Sequence, residues 1–246
     1  MKKGVFIRHG VKRQWTLLTV TSVLAALATL VFGLQQTSQA AQGQRWQGGV
    51  PWAGVLKTNM GLCSVTVISE FLAITAKHCG TVNPQLKLNV PSWSTKGHYY
   101  TVKKIEVNRN LDVEALFLRN RTGLSVTPHR ELVARDWFYA WGYGLDWSNH
   151  VTNHLTRADF NFPMRCSDTL IAAGKGSLCW ETTAKDSVCI GDSGGPITQH
   201  GEIIAMMTNG DYRNDCSTVS AGGALTVREM QPWLDQMIND SNPFPS

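Results

Sequence analysis

Short apolar segments, separated at strand-like intervals by Gly, Pro, Asn or Asp, fill the chain from about residue 42 onward. Examples are CSVTVIS, FLAIT, LKLNV, YYTVKKIEV, VEALFL, DWFYAWGYG, GEIIAMM and GALTV. Many alternate or are rich in β-branched and aromatic residues, and most are too short for helices, so they predict β-strands. We find no internal repeat, low-complexity tract or charged linker among them. Eight or more such strands indicate an all-β barrel or sandwich.

One segment near the C-terminus follows a different period. Residues 226–240, with the sequence TVREMQPWLDQMIND, carry apolar side chains at helical spacing, and Pro232 lies near the start of the segment. This spacing predicts one amphipathic helix at the end of the chain. The 246 residues, 43% of them hydrophobic, are enough for one sizeable core or two small ones. The predicted fold class is therefore all-β with a C-terminal α-helix.

The first 40 residues differ in composition from the rest. Five basic residues and no acid accompany an apolar stretch from Trp15 to about Leu34, and Ser38 and Ala40 then occupy the small-residue positions that a signal peptidase requires. This order predicts a signal peptide over residues 1–40, cleaved after Ala40, and a secreted domain over residues 41–246. The alternative is an uncleaved anchor that holds the protein on the membrane outside the cytoplasm, because the apolar stretch almost spans a bilayer.

Charge and cysteine content narrow the class of protein further. The formal charge of +5 belongs to the N-terminal segment, since the remainder has 18 basic and 18 acidic residues, so no nucleic-acid partner is indicated. All six cysteines follow that segment, and an even number in an exported chain favours disulfides, with fifteen pairings open. Cys189 and Cys216 are far from any C-x-x-C spacing, so we expect no zinc site. We also expect no cofactor.

Three segments carry candidate catalytic residues. Ser193 lies in CIGDSGGP, where the neighbouring glycines let the backbone approach a substrate and let the amides of Gly191 and Ser193 point together at a developing negative charge. His78 follows an apolar strand in LAITAKHC and is a candidate base. Asp112 opens the apolar strand of LDVEALFL and is a candidate for the acid that orients the histidine.

In that order, T-A-x-H-C, the strand-opening Asp and G-D-S-G-G-P resemble the chymotrypsin/trypsin-like serine endopeptidases over roughly residues 46–238. WGYG at 141–144 and the terminal helix fit the same family. The resemblance implies two six-stranded antiparallel β-barrels with the active site in the cleft between them. It also implies that His78, Asp112 and Ser193 form a catalytic triad acting on polypeptides, in a monomer that protein protease inhibitors could bind.

The resemblance further implies three disulfides and a structural switch. The implied pairs are Cys63 with Cys79, Cys166 with Cys179, and Cys189 with Cys216. In the family, the acid before the nucleophile, here Asp192, pairs with a new N-terminal amine that proteolysis releases. RWQGG resembles that activation junction, so the chain is a candidate zymogen cleaved after Arg45, although Trp46 and Gln47 replace two aliphatic residues. The alternative is a chain that is active after signal removal, with Asp192 satisfied internally.

By the same resemblance, the specificity pocket has Ser187 at its floor and walls formed by three residues, Thr208, Gly210 and Gly223. A neutral floor between two glycines favours an uncharged, apolar substrate residue before the scissile bond. A shift of one position would place Asp186 on the floor instead, and the preference would then be for Arg or Lys.

Two other classes of protein remain as alternatives. The first is a catalytically silent relative that keeps the fold as a binding module, against which the presence of all three triad residues argues. The second is an exported binding or structural protein with a coincidental G-D-S-G-G-P. This alternative is disfavoured because His78, Asp112 and the cysteine spacings independently fit the same family. An α/β-hydrolase esterase is excluded, because the strands do not alternate with helices.

Overall fold

A computed structural model of the chain describes the following residues: 43–124, 126, 131–133, 136–145, 154–161, 163–168, 174–181, 188–210 and 221–242. Strands dominate them, and the predicted all-β fold class with a C-terminal helix is confirmed. The proposed signal peptide lies outside the described residues and stays a prediction. None of the helices in the described ranges is long and apolar enough to cross a membrane.

The first sheet is built from six consecutive strands. Its strands are β2 (Ala53–Thr58), β3 (Gly61–Ser69), β4 (Leu72–Thr75), β5 (Gln85–Leu88), β6 (Val102–Val107) and β7 (Glu114–Leu118). They are antiparallel neighbours in the order β5-β2-β3-β4-β7-β6. A further bridge joins Leu86 of β5 to Tyr100, just before β6, so the two edge strands approach each other and the sheet curls towards a closed barrel.

Strand β7 of the first sheet is covered on both of its faces. All five of its residues are buried. Leu116 and Leu118 face the inside of the curled sheet, whereas Ala115 and Phe117 lie in a second apolar cluster with the terminal helix. Because both faces of this strand are covered, its sequence is a continuous apolar run after its first residue rather than an alternating one.

Among the described residues, the second sheet contains eight strands. These are β1 (Gln44–Arg45), β8 (Phe138–Gly142), β9 (Thr156–Phe160), β10 (Met164–Arg165), β11 (Leu178–Glu181), β12 (Pro196–Gln199), β13 (Glu202–Gly210) and β14 (Ala221–Thr226). Their order is β1-β9-β8-β12-β13-β14-β11-β10. Its six central strands agree in number with the predicted six-stranded barrel. The two-residue strands β1 and β10 extend the sheet at its two edges. The rings of Phe138, Phe160 and Trp180 contact one another in its core.

The predicted C-terminal helix is α1 (Val227–Ser241). Thr226 caps it by accepting a hydrogen bond from the N–H of Glu229, while the Glu229 carboxylate accepts from the Thr226 N–H. This reciprocal capping box marks the point where strand β14 becomes a helix. The buried side chains of Met230 and Leu234 pack in a cluster that includes residues of β4, β7, β13 and β14, so the helix joins the two sheets.

Two of the three implied disulfides lie within the described residues and are confirmed. Cys63 in β3 is bonded to Cys79, and Cys166 is bonded to Cys179 in β11. Cys189 is also disulfide-bonded. Its implied partner, Cys216, lies outside the described residues.

Candidate active site

His78 lies in the turn that follows β4. A single 3₁₀ turn, Lys77–Cys79, ends at Gly80, which has a φ of 61°. The next residue after the histidine, Cys79, is bonded to Cys63 of the neighbouring strand. The turn is therefore held on both sides, by β4 before it and by the disulfide after it, while the imidazole remains half-exposed.

Asp112 lies directly against this histidine. One carboxylate oxygen accepts from the Nδ1 of His78 at 2.7 Å, and the other accepts from the His78 backbone N–H at 3.0 Å. Asp112 is only 6% exposed, and its own N–H donates to the Gly174 carbonyl at 2.8 Å. Burial raises the pKa of Asp112, but the hydrogen bonds and charge of His78 lower it more, so the pKa lies below its ordinary value.

Ser193 completes a hydrogen-bonded line of three side chains. Its Oγ is 2.9 Å from the Nε2 of His78, on the opposite side of the ring from Asp112. Since Nδ1 must donate to the ionised carboxylate, we assign the unprotonated position to Nε2, which then accepts the serine hydroxyl proton. Nucleophile, base and orienting acid, predicted from three distant segments, thus lie within hydrogen-bonding distance of each other.

Two backbone amides near Ser193 have no protein acceptor among the residues that the structure describes. The N–H groups of Asp192, Gly194 and Gly195 donate to the carbonyls of Cys189, Met207 and Asp192, respectively. Within the described residues, no acceptor is found for the amides of Gly191 and Ser193. These are the two amides predicted to meet a developing oxyanion. Gly191 has a φ of 98°, which a residue with a side chain rarely adopts.

Asp192 is buried beside this loop, with 1% of its surface exposed. Its carboxylate accepts from the N–H of Gly144 at 2.8 Å and from that of Cys189 at 2.7 Å. Burial raises the pKa of Asp192 to about 7, and these two amides oppose the rise. In the part of the chain that the structure describes, no cation pairs with this carboxylate.

The WGYG motif provides the space that Asp192 occupies. A Cβ placed on Gly142 would lie 2.1 Å from the Asp192 carboxylate, and a Cβ on Gly144 would lie 2.6 Å from it. Both positions must therefore be glycine. The contact of this motif with Asp192 is not evident from the sequence, because residues 142–144 and Asp192 are far apart in the chain.

The candidate cleavage point, Arg45–Trp46, lies within ordered structure. Arg45 belongs to β1 and pairs with Thr156 of β9, and the backbone N–H of Trp46 donates to the Leu155 carbonyl at 2.9 Å. The Trp46 ring packs edge-to-face on Trp141, with the ring centroids 5.1 Å apart. Trp46 is thus used as a structural residue in the intact chain.

The predicted specificity residues are only partly described. Ser187 and Asp186 lie outside the described residues. Thr208 is fully buried, and its hydroxyl donates to the Lys175 carbonyl. The Asn209 carboxamide lies 2.1 Å from the point where a Cβ on Gly223 would be, so the absence of a side chain at this predicted wall residue leaves room for the asparagine. Gly210, the other glycine predicted to form a wall, pairs with Gly222 of β14.

A pocket of about 240 Å³ opens beside His78 and Ser193. It is bounded by the Cys63–Cys79 disulfide and by two exposed apolar side chains, Met60 and Ile190, which are 74% and 53% exposed. These two residues could not be predicted from the sequence, because an isolated Met or Ile in a loop carries no pattern. No group of acids, histidines or cysteines suited to a metal occurs among the described residues.

Comparison with known proteins identifies the family of the chain. The family model described as Trypsin matches residues 35–234, which is most of the chain. The protein belongs to the trypsin family. As a member of this family it is a serine endopeptidase, and the predicted enzyme class is confirmed. Two peptidases from different strains of Corynebacterium glutamicum are each 23% identical to this trypsin-family protein over 228 residues, covering 87% of this chain and 79% of the relative.

Proposed function

We propose that the protein is a secreted endopeptidase that cleaves polypeptides through a Ser193–His78–Asp112 triad and an acyl-enzyme intermediate. The observation that carries this proposal is the hydrogen-bonded line from carboxylate to imidazole to hydroxyl, with distances of 2.7 and 2.9 Å. A non-catalytic binding module would have no use for a fixed imidazole tautomer facing a serine.

In the proposed reaction, the Oγ of Ser193 attacks the carbonyl carbon of the scissile peptide while the Nε2 of His78 takes the hydroxyl proton. The carbonyl π electrons move to its oxygen. When the tetrahedral species collapses, His78 gives the proton to the departing amine and the acyl group stays on Ser193. A water molecule then attacks the acyl carbon while His78 takes its proton. When this second tetrahedral species collapses, the bond from the acyl carbon to the Ser193 Oγ breaks, His78 returns the proton to Oγ, and the acid is released. Asp112 stabilises the imidazolium that forms in each half.

The amides of Gly191 and Ser193 are the proposed oxyanion hole. Their lack of an acceptor among the described residues supports this role, because donors that are already free need no rearrangement when negative charge develops. Each donor of this kind typically contributes about 2.7–4 kcal/mol to transition-state stabilisation.

We also propose that the enzyme is active without cleavage at Arg45. Two observations support this alternative over activation by cleavage after Arg45. The Asp192 carboxylate is satisfied by the amides of Gly144 and Cys189, as internal satisfaction requires. In addition, Trp46 is engaged with Leu155 and Trp141 rather than with Asp192.

The protein is proposed to be secreted and to prefer an apolar substrate residue. The disulfides Cys63–Cys79 and Cys166–Cys179 support folding in an oxidising compartment, in agreement with a signal peptide over residues 1–40. The neutral Ser187 assigned to the pocket floor favours an uncharged, apolar substrate residue before the scissile bond.

A panel of peptide substrates tests this function. Peptides that differ only in Phe, Leu, Arg or Glu before the scissile bond should be cleaved best at Phe or Leu, and the Ser193→Ala variant should cleave none at a comparable rate. A strong preference for Arg would overturn the neutral-floor assignment. Equal, residual cleavage by the parent protein and Ser193→Ala would overturn the catalytic proposal.

A further inference from the structure

Ser64 of β3 is fully buried, and its hydroxyl has no part in the proposed reaction. Its Oγ donates to the Gly191 carbonyl at 2.9 Å and accepts from the backbone N–H of Tyr143, also at 2.9 Å. The backbone N–H of Ser64 donates to the Ser193 carbonyl at 2.9 Å. One residue therefore holds the carbonyls of both residues whose amides form the proposed oxyanion hole.

The direction of the Gly191 amide depends on the peptide groups on either side of this residue. In the preceding peptide, the Ile190 carbonyl accepts from the N–H of Leu145 at 2.8 Å. Because a trans peptide directs its N–H and C=O to opposite sides, the Gly191 N–H points away from Leu145. In the following peptide, the Gly191 carbonyl is held by the Ser64 hydroxyl. The same peptide is also held through the Asp192 N–H, which donates to the Cys189 carbonyl at 3.0 Å. With no side chain to restrict it, Gly191 depends on the hydrogen bonds of these two flanking peptides for its orientation.

The same hydroxyl connects this loop to the segment 143–145. That segment holds the Asp192 carboxylate through Gly144 and the Ile190 carbonyl through Leu145. Its first residue, Tyr143, donates to Ser64. The Ser64 hydroxyl thus couples Gly191 to the backbone that already fixes the two neighbouring residues of the loop.

We propose that Ser64 is a positioning residue for catalysis, whose hydroxyl directs the Gly191 amide into the oxyanion hole. This inference rests on the proposed function, because it assigns Ser64 a role in that same site. Without the hydroxyl, the Gly191 carbonyl and the Tyr143 N–H both lose a buried partner. The Gly191 amide is still present, but it points at the substrate oxygen for a smaller fraction of the time.

The Ser64→Ala variant of the full chain tests this role with an oligopeptide substrate. Deleting an oxyanion donor typically lowers kcat by about 10²–10³-fold, so misdirecting one should lower kcat by about 10–50-fold. KM should change by less than about threefold, because the oxyanion interaction forms chiefly in the transition state. The pH midpoint of kcat should not move, since His78 and Asp112 keep their contacts.

A peptide aldehyde inhibitor provides a readout that a merely structural role would not change. It adds to Ser193 to form a tetrahedral adduct whose oxygen occupies the oxyanion hole. Its inhibition constant should therefore rise in Ser64→Ala by about the same factor as kcat falls.

Two further variants control for lost stability. Ser64→Thr keeps a hydroxyl at this position and should retain kcat to within about threefold of the parent enzyme. Thr198→Val removes an equally buried hydroxyl from β12, one that accepts from the Trp141 indole at 2.8 Å, and should lower the melting temperature without changing kcat or aldehyde affinity.

The inference is overturned if folded Ser64→Ala has the parent kcat, or if kcat falls while aldehyde affinity is unchanged. If Ser64→Ala does not fold, Ser64→Cys replaces it, because this variant keeps the shape with a weaker donor. Reduced kcat with weaker aldehyde binding then supports the role, and parent values overturn it. A parent protein that cleaves no peptide contradicts the proposed function itself, whereas an active parent with an indifferent Ser64→Ala contradicts only this inference.

Discussion

Replacing Asp112 by Asn tests whether the buried acid orients the proposed catalytic histidine. The asparagine fits the same space, but its NH₂ group can face the Nδ1 of His78, which then accepts and leaves the proton on Nε2. The imidazole would no longer accept the Ser193 proton. Separately, the variant loses the attraction between carboxylate and imidazolium, about 4 kcal/mol for charge centres roughly 4 Å apart at an effective dielectric constant of 20.

A loss of about 4 kcal/mol corresponds to a roughly 10³-fold slower reaction, and the wrong tautomer extends the expected loss in kcat to about 10⁴-fold. The assay is peptide hydrolysis at pH 7–8, with KM expected to stay within about threefold of the parent value. Glu114→Gln is the matched control: Glu114 lies two positions along the chain and is equally buried, but it accepts from Thr81 instead of His78. A loss below tenfold in Asp112→Asn, or equal losses in both variants, would refute the reasoning.

Three further outcomes are expected. Removing the Cys63–Cys79 bond, which closes a loop with a sequence separation of 16, should lower the free energy of unfolding by about 3 kcal/mol and also reduce kcat. Removing the Cys166–Cys179 bond should lower the free energy of unfolding without changing kcat. Since the pKa of Asp192 is about 7 when folded and near 4 when unfolded, its stabilising contribution is complete below pH 4 and is lost as the pH rises to 7. Between pH 4 and 8, the free energy of unfolding measured in urea should therefore fall by about 4 kcal/mol more in the parent than in Asp192→Asn. If the two proteins show the same pH dependence, the effect of burial on Asp192 is contradicted. Arg45→Gln should keep full activity and the same N-terminus; loss of activity would show that cleavage is required.

The terminal helix and the strands that match the predicted segments were predictable, because the apolar pattern of each lies within one short segment. The runs that became β3, β4, β7 and β13 are apolar, short and bounded by turn residues, and the helix has a capping box and an apolar face in its own sequence. The two-residue strands β1 and β10 could not be predicted, because two residues have no period and their pairing depends on partners distant in the chain.

Some residues of the candidate site could likewise be predicted from the sequence and others could not. His78, Asp112 and Ser193 could be selected because each lies in a motif whose residue types fit one chemistry. Ser64 could not, since a serine after a cysteine in a strand carries no signal until folding brings Gly191 and Tyr143 to its hydroxyl. Its role depends on distances between segments, and a single sequence does not contain them.

The most direct test of the central proposal is covalent labelling by a fluorophosphonate, followed by peptide mapping, on protein in which the Arg45–Trp46 bond is shown to be intact. This reagent transfers its phosphonyl group to a serine oxygen, with release of fluoride, when a base and an oxyanion hole are in place. We predict one label per molecule, on Ser193, with hydrolytic activity lost in proportion. An intact chain that takes up no label, or takes it up elsewhere while activity persists, would contradict the account.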